Sequence, residues 1–282
     1  MNNIYRIVQY IQPWEIDSFE RQVNQLIKSS YSIEHLKNII LDVTMNLDIV
    51  DWNLSKLPRE YFVNKFNALE RRANVRFKTE FDMDSQIRGA ADKRRSIQYK
   101  QQDFIIWLDS DIFFPTSLLP YMIMATANIE ANDYIVTPQL IRYWDSSWDV
   151  LTNEKYLTEP FNHRDYFDSF SLDNECVNNT TSISRNAYGV KMGAGWFNLF
   201  TDSVLKKIPL PEELGSYGPD DTYVSYCASV LQIPQYILTG QIVTEVGKLY
   251  DADYIKPLLH VTIVDKQKIT DSEFTQLIKR FK

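Results

Sequence analysis

The stretch Phe104-Ile-Ile-Trp-Leu-Asp-Ser-Asp-Ile-Phe-Phe-Pro115 decides how the rest of the chain is read. Phe104 to Leu108 form a continuous apolar run, the pattern of a strand buried on both faces of an α/β sheet. Asp109, Ser110 and Asp111 follow at its end. Open α/β sheets bind ligands outside the carboxyl ends of their strands, so two carboxylates placed there converge on a cleft. Carboxylate oxygens suit Mg2+ or Mn2+, ions that keep positions open for the phosphate oxygens of a substrate. The Asp-x-Asp spacing is weak evidence alone, since it recurs at Asp82-Met-Asp84 and Asp251-Ala-Asp253. What singles out Asp109 and Asp111 is the buried strand before them. The competing reading makes them a turn and a cap for a helix beginning near Thr116.

Upstream, strand and helix patterns alternate. Ile4 to Ile11 reads as a strand, and Glu15 to Ser29 places Ile16, Phe19, Val23, Leu26 and Ile27 at helical spacing. Asn38 to Val43 is a second short strand ending near Asp42. Pro58 opens a helix with Phe62, Phe66, Leu69 and Ala73 on one face. Val75 to Thr79 is read as a third strand, and Ser85 as the cap of a helix carrying Ile87, Ala90, Ala91 and Ile97. This alternation predicts a right-handed, mostly parallel central sheet flanked by helices.

Downstream, a helix from Thr116 to about Glu130 and a strand from Tyr134 to Thr137 are expected. Residues 139–190 have few clear periods and many aromatics, which assigns them to the acceptor side of a cleft. Order returns at Gly193-Ala-Gly-Trp-Phe-Asn-Leu-Phe200, a strand whose two glycines let backbone approach a ligand closely. Gly195 and Trp196 are its candidate ligand contacts. After a short helix from Asp202 to Lys207, Gly218-Pro-Asp-Asp-Thr-Tyr223 opens another helix. Its Asp220 and Asp221 are either helix-start chemistry or reactive carboxylates. Ile233 to Thr244 is strand-like, Leu258 to Val264 is an apolar run containing His260, and Asp271 to Phe281 is a terminal helix.

Composition bounds the class. Hydrophobic residues make up 44% and charged residues 24% of the 282 positions, which excludes wholesale disorder. No low-complexity linker divides the chain, so a single domain is expected: 1–138 binding the nucleotide, 139–270 the acceptor and catalytic half, 271–282 the terminal helix. Two cysteines, Cys176 and Cys227, are too few for a disulfide framework or a zinc cage. With no signal-peptide pattern at the N-terminus and no apolar run of roughly 18 residues, a cytoplasmic protein without a transmembrane segment is expected. The net charge of −7 disfavours broad nucleic-acid binding, yet Lys65 to Lys100 holds ten Lys/Arg against five Asp/Glu. That basic segment leads to the acidic turn and would suit a nucleotide diphosphate.

Three pieces thus stand in one order: a buried strand ending in Asp109-Ser-Asp111, a Gly-Ala-Gly-Trp strand, and an acidic helix start at Asp220-Asp221. This order resembles the GT-A glycosyltransferases, most of all the inverting enzymes of family 2, over roughly residues 1 to 265. The resemblance implies a GT-A, Rossmann-like fold, a UDP- or GDP-sugar donor and Mn2+ or Mg2+. It puts Asp109 near ribose and metal and Asp111 on the metal, with His260 as a late additional ligand. Asp42 would contact the nucleobase, and Arg88, Asp92 and Arg95 would line the diphosphate side. Asp221 would be the general base, with Asp220 beside it. The acceptor is left open among glycan, lipid, protein and a modified nucleobase, and the oligomeric state is not readable.

Two other enzymes share part of this pattern. A phosphohydrolase of the haloacid-dehalogenase type also carries a strand ending Asp-x-Asp and a later Asp-Asp pair, but it expects Thr or Val where Phe113 stands. A sugar-phosphate nucleotidyltransferase wants a Gly-rich N-terminal loop, and residues 8–20 contain no glycine. A noncatalytic carbohydrate-binding protein on a transferase fold is the third alternative.

Overall fold

A computed structural model of the chain describes residues 3–33, 38–53, 55–142, 177–185, 197–216, 219–245 and 270–281. The elements run β1 (Tyr5–Ile11), α1 (Ile16–Ser30), β2 (Ile39–Met45), α2 (Arg59–Ala73), β3 (Lys78–Asp82), α3 (Ala90–Ser96) and β4 (Phe104–Leu108). Then come β5 (Ile112–Phe113), α4 (Leu118–Thr126), β6 (Ile135–Arg142), β7 (Val177–Arg185), β8 (Phe197–Thr201) and α5 (Asp202–Lys207). The last are α6 (Asp220–Val230), β9 (Gln235–Glu245) and α7 (Asp271–Lys279).

The described strands form one sheet in the order β3-β2-β1-β4-β8-β6-β9-β5, with β7 on β9. β3, β2, β1 and β4 are parallel; β8 runs antiparallel to β4 and β6. This is the expected α/β architecture, a mostly parallel sheet flanked by helices. Register fixes which residues share a face. Val8 pairs with Asp42 and Trp107, and Asp42 with Glu80, so these four side chains stand on one face. Ile7, Leu41 and Ile106 stand on the other. There they pack with Phe19, Val23 and Leu26 of α1, Phe62, Phe66 and Leu69 of α2, and Leu118 and Met122 of α4. Val8, Ile105 and Trp107 share a second cluster with Val204 and Leu205 of α5, Val224 and Cys227 of α6, and Leu277 of α7. β4 is buried along its whole length, which explains its uninterrupted apolar sequence.

Because α1 and α2 cover one face while α3 lies on the other, the winding reverses between β1 and β4. The crevice at the carboxyl ends of two such neighbouring strands is where an open α/β sheet binds its ligands.

Several boundaries differ from the sequence expectations. β3 is Lys78–Asp82 rather than 75–79, because Arg76 and Phe77 both donate to the carbonyl of Ala73 and spend those residues turning off α2. Val75 is exposed. Ser85 caps no helix: its carbonyl and that of Ile87 accept from Asn46 Nδ2, which holds 85–87 as loop until α3 begins after Gly89. α4 spans Leu118–Thr126, shorter at both ends, and β6 runs on to Arg142. Asp42 lies in mid-strand, since β2 continues to Met45. Gly193 to Trp196, including Gly195, and the 258–264 run with His260 lie outside the described residues. Among the described residues, no helix is long and apolar enough to cross a membrane.

Candidate active site

A cleft of about 270 Å³ opens at this switch point, lined by Tyr10, Gln12, Glu15, Ala90, Arg94, Asp109, Ser110, Asp111, Asp220 and Asp221. The contributors are the end of β1 and the turn after it, the start of α3, the turn after β4 and the start of α6.

The turn after β4 is held from below. Gln22 of α1, itself buried, donates from Nε2 to the carbonyls of Asp109 and Ile112, both at 2.7 Å, and Gln25 donates to the carbonyl of Phe114 at 2.9 Å. Two α1 side chains one turn apart thus fix three carbonyls of the 109–114 segment, leaving the carboxylates of Asp109 and Asp111 at the cleft wall. Ser110 is buried beneath them.

α6 presents its first two residues differently. Asp220, Tyr223, Val224, Cys227 and Ala228 form its buried stripe, spaced i, i+3, i+4, i+7 and i+8. Asp220 therefore points inward, 4% exposed, and Asp221, about 100° further round the helix, lines the cleft. Burial, and then the neighbouring Asp220 charge, raise the Asp221 carboxyl to about 7. Its Oδ1 accepts from the backbone N–H of Thr222 at 2.5 Å.

Arg94 reaches into the same space from α3. Nη1 donates to Asp220 Oδ2 and Nη2 to Asp109 Oδ1, each at 2.7 Å, and Cζ sits 4.4 Å from the centroid of the Trp107 ring. Burial works against its charge, but Asp220 and Asp109 outweigh that and hold it protonated. Burial also raises Asp109, with Asp220 adding to the effect and Arg94 opposing it.

Glu15, like Arg94, lines the cleft without having been singled out in the sequence. It closes the short 3-10 turn Pro13–Glu15 that follows β1, and its Oε2 accepts from the backbone N–H of Gln12 at 2.7 Å. Burial, aided by Asp111 and Asp109, pushes it up to about 8. The rule that ligands gather at strand carboxyl ends, applied to β1 as well as β4, marks it.

Four of the predicted residues come together here: Asp109, Asp111, Asp220 and Asp221. Asp42 does not line the cleft. It is fully buried, bound by Arg6 Nη1 at 2.6 Å, Lys93 Nζ at 2.5 Å and Lys100 Nζ at 2.7 Å. Those cations overcome the cost of burial and hold its carboxyl below the ordinary range. Arg88 is exposed, and Asp92 is engaged by Arg95 Nη2 at 2.5 Å and by the Arg88 N–H at 3.0 Å. Arg95 also donates to the carbonyls of Pro211 and Gly215 and so ties α3 to the segment preceding α6.

The donor chemistry at Asp109 and Asp111 fits Mg2+ or Mn2+, since only oxygens are offered and both residues are partly exposed at the cleft. Among the described residues no three His, Cys, Asp or Glu side chains close into a metal cage.

No protein-family model and no curated protein matches the sequence. Solved structures do match. S. aureus TarS is 11% identical at a TM-score of 0.52, over 99% of this chain and 42% of its own length. The mannosyltransferase PcManGT from Pyrobaculum calidifontis, in complex with GDP-Man and Mn2+, is 8% identical at a TM-score of 0.52, over 98% of this chain and 68% of its own. Both are GT-A-type glycosyltransferases, and the chain shares their fold.

Proposed function

We propose that this protein is a metal-dependent glycosyltransferase that moves a sugar from a nucleotide-diphosphate sugar to an acceptor hydroxyl with inversion. The observation that carries the reading is the cleft at the β1/β4 switch point, where the Asp109-Ser110-Asp111 turn faces the desolvated Asp221 of α6. The GT-A fold, shared with a mannosyltransferase in complex with GDP-Man and Mn2+, supports it over a phosphohydrolase or a noncatalytic binding protein.

Asp109 and Asp111 would hold Mn2+ or Mg2+, which neutralises charge on a departing diphosphate. Asp221 takes the acceptor's hydroxyl proton as that oxygen bonds to the anomeric carbon. The bond from that carbon to the diphosphate oxygen breaks on the opposite face, and the diphosphate leaves with the electron pair. A carboxylate whose proton affinity lies near neutrality is well matched to this work. Asp220 is the buried anchor beside it. Asp42 organises the sheet beneath α3 through its ion pairs, a role that its burial supports better than a nucleobase contact.

The test incubates the chain with a panel of nucleotide sugars, Mn2+ and simple acceptors and measures nucleoside diphosphate release. Asp111→Ala is expected to abolish Mn2+-dependent binding of UDP or GDP in calorimetric titration. Unchanged binding would remove Asp111 from the metal. A product retaining the donor's anomeric configuration would overturn inversion.

A further inference from the structure

We infer that Arg94 is a positioning residue that sets the metal-binding turn and the catalytic helix against each other; this rests on the glycosyltransferase reading of the site. The two carboxylates it bridges come from segments remote in sequence, the turn after β4 and the first residue of α6. One planar guanidinium meets both, 2.7 Å from Asp109 Oδ1 and 2.7 Å from Asp220 Oδ2, with its Cζ over the Trp107 ring of β4. The fork fixes direction as well as distance, because two N–H bonds to carboxylates on different segments constrain one planar group, 4% exposed and seated over Trp107.

The helix that carries it is fixed on both sides. Lys93 pairs with Asp42 of β2, Arg95 donates to the carbonyls of Pro211 and Gly215, and the N–H of Ala91 donates to the carbonyl of Ser216 at 3.1 Å. α3 is thus a strut between the sheet and the approach to α6. Arg94 engages Oδ1 of Asp109, which would hold the metal, and seats Asp220 beside Asp221. Lysine carries the same charge on a flexible stem without the planar fork and cannot hold two carboxylates in one geometry.

Two measurements on the full chain test this. In the first, Arg94→Lys is compared with wild type by circular dichroism, thermal melting and steady-state kinetics. The expected outcome is a folded protein whose kcat falls by roughly 10²-fold, with the donor KM little changed, as for a misplacement of about 1 Å. In the second, Mn2+ alone is titrated, with electron paramagnetic resonance detection, into wild type, Arg94→Met, Asp220→Asn and the double variant. With Asp220 neutral, the guanidinium charge falls wholly on Asp109 and weakens its grip on Mn2+. Asp220→Asn is therefore expected to change the Mn2+ dissociation constant roughly fivefold or more beyond its effect in the Arg94→Met background. Should Arg94→Met fail to fold, Arg94→Lys takes its place in the cycle. A wild-type kcat in Arg94→Lys, or an additive cycle, overturns the inference. A wild type inert toward every nucleotide sugar refutes the transferase reading instead, and the Mn2+ cycle then decides Arg94 alone.

Discussion

Among the described residues both faces of the central sheet bury apolar clusters, but only one of them also buries a network of charges. Against α1, α2 and α4 the sheet presents Ile7, Ile11, Leu41, Val43, Ile106 and Leu108, and polar groups enter mainly at the carboxyl edge through Gln9 and Gln22. The other face has its own apolar cluster around Val8, Ile105 and Trp107, and beside it Arg6, Asp42, Lys93, Arg94 and Asp220 are all buried. An apolar face gains stability from each methylene removed from water. Buried charges recover by pairing roughly what desolvation cost them, so their net contribution to stability is small. What such pairs supply here is direction: Lys93 ties α3 to Asp42 of β2, and Arg94 holds Asp109 and Asp220 at the cleft.

The largest effect separating the faces belongs to Asp221→Asn. It is expected to lower kcat by roughly 10² to 10⁴ while leaving the melting temperature and donor binding near wild type. A variant transferring sugar at the wild-type rate would sink the base assignment. The working form is the deprotonated one and the folded carboxyl is raised, so wild-type kcat is expected to fall about tenfold per unit as pH drops below about 7. A flat profile from pH 5 to 8 would point to another base.

On the apolar face, Phe66→Ala empties a fully buried site and is expected to cost about 3–5 kcal/mol in urea denaturation, with kcat of the folded protein unaltered. A drop in kcat matching that of Asp221→Asn would dissolve the division between the faces. Asp42→Ala is the cross-check, because it leaves Lys93 and Arg6 without their buried partner. It should cost a similar 3–5 kcal/mol and also weaken Mn2+-nucleotide binding, since α3 loses its seat. Loss of stability with unchanged binding would make Asp42 a stability residue only.

The smallest effect is expected where the faces meet. Gln22→Leu leaves the carbonyls of Asp109 and Ile112 without their donor and should cost about 1–3 kcal/mol, together with a weaker Mn2+ affinity. If Mn2+ affinity does not move, the glutamine supports the fold and leaves the metal turn alone.

Legibility in the sequence followed the kind of interaction. β4 was read to the residue, because a strand buried on both faces has to be a continuous apolar run. α1, α2 and α7 are legible from helical spacing, and the acidic pair at the start of α6 from position. β3 and the start of α3 were misplaced by several residues, because a turn tied to Ala73 and a loop tied to Asn46 leave no periodic trace. Asp42 was seen as a strand carboxylate, but nothing local announces that Arg6, Lys93 and Lys100 all close on it.

By itself the sequence determined the alternation of strand and helix, the apolar β4 and its Asp109-Ser-Asp111 ending, and the presence of two acidic stations in one order. These are local properties: periodicity and composition act over a few residues, and each element carries its own record of what it must bury. Only the tertiary structure decided that the winding reverses at β1 and β4 and so brings Glu15 beside Asp111. It alone turned Asp220 inward while leaving Asp221 at the cleft, and closed both acidic stations on Arg94. Ion pairs between segments remote in sequence depend on strand order and helix rotation, which follow from burying two faces of one sheet at once and which no single stretch encodes.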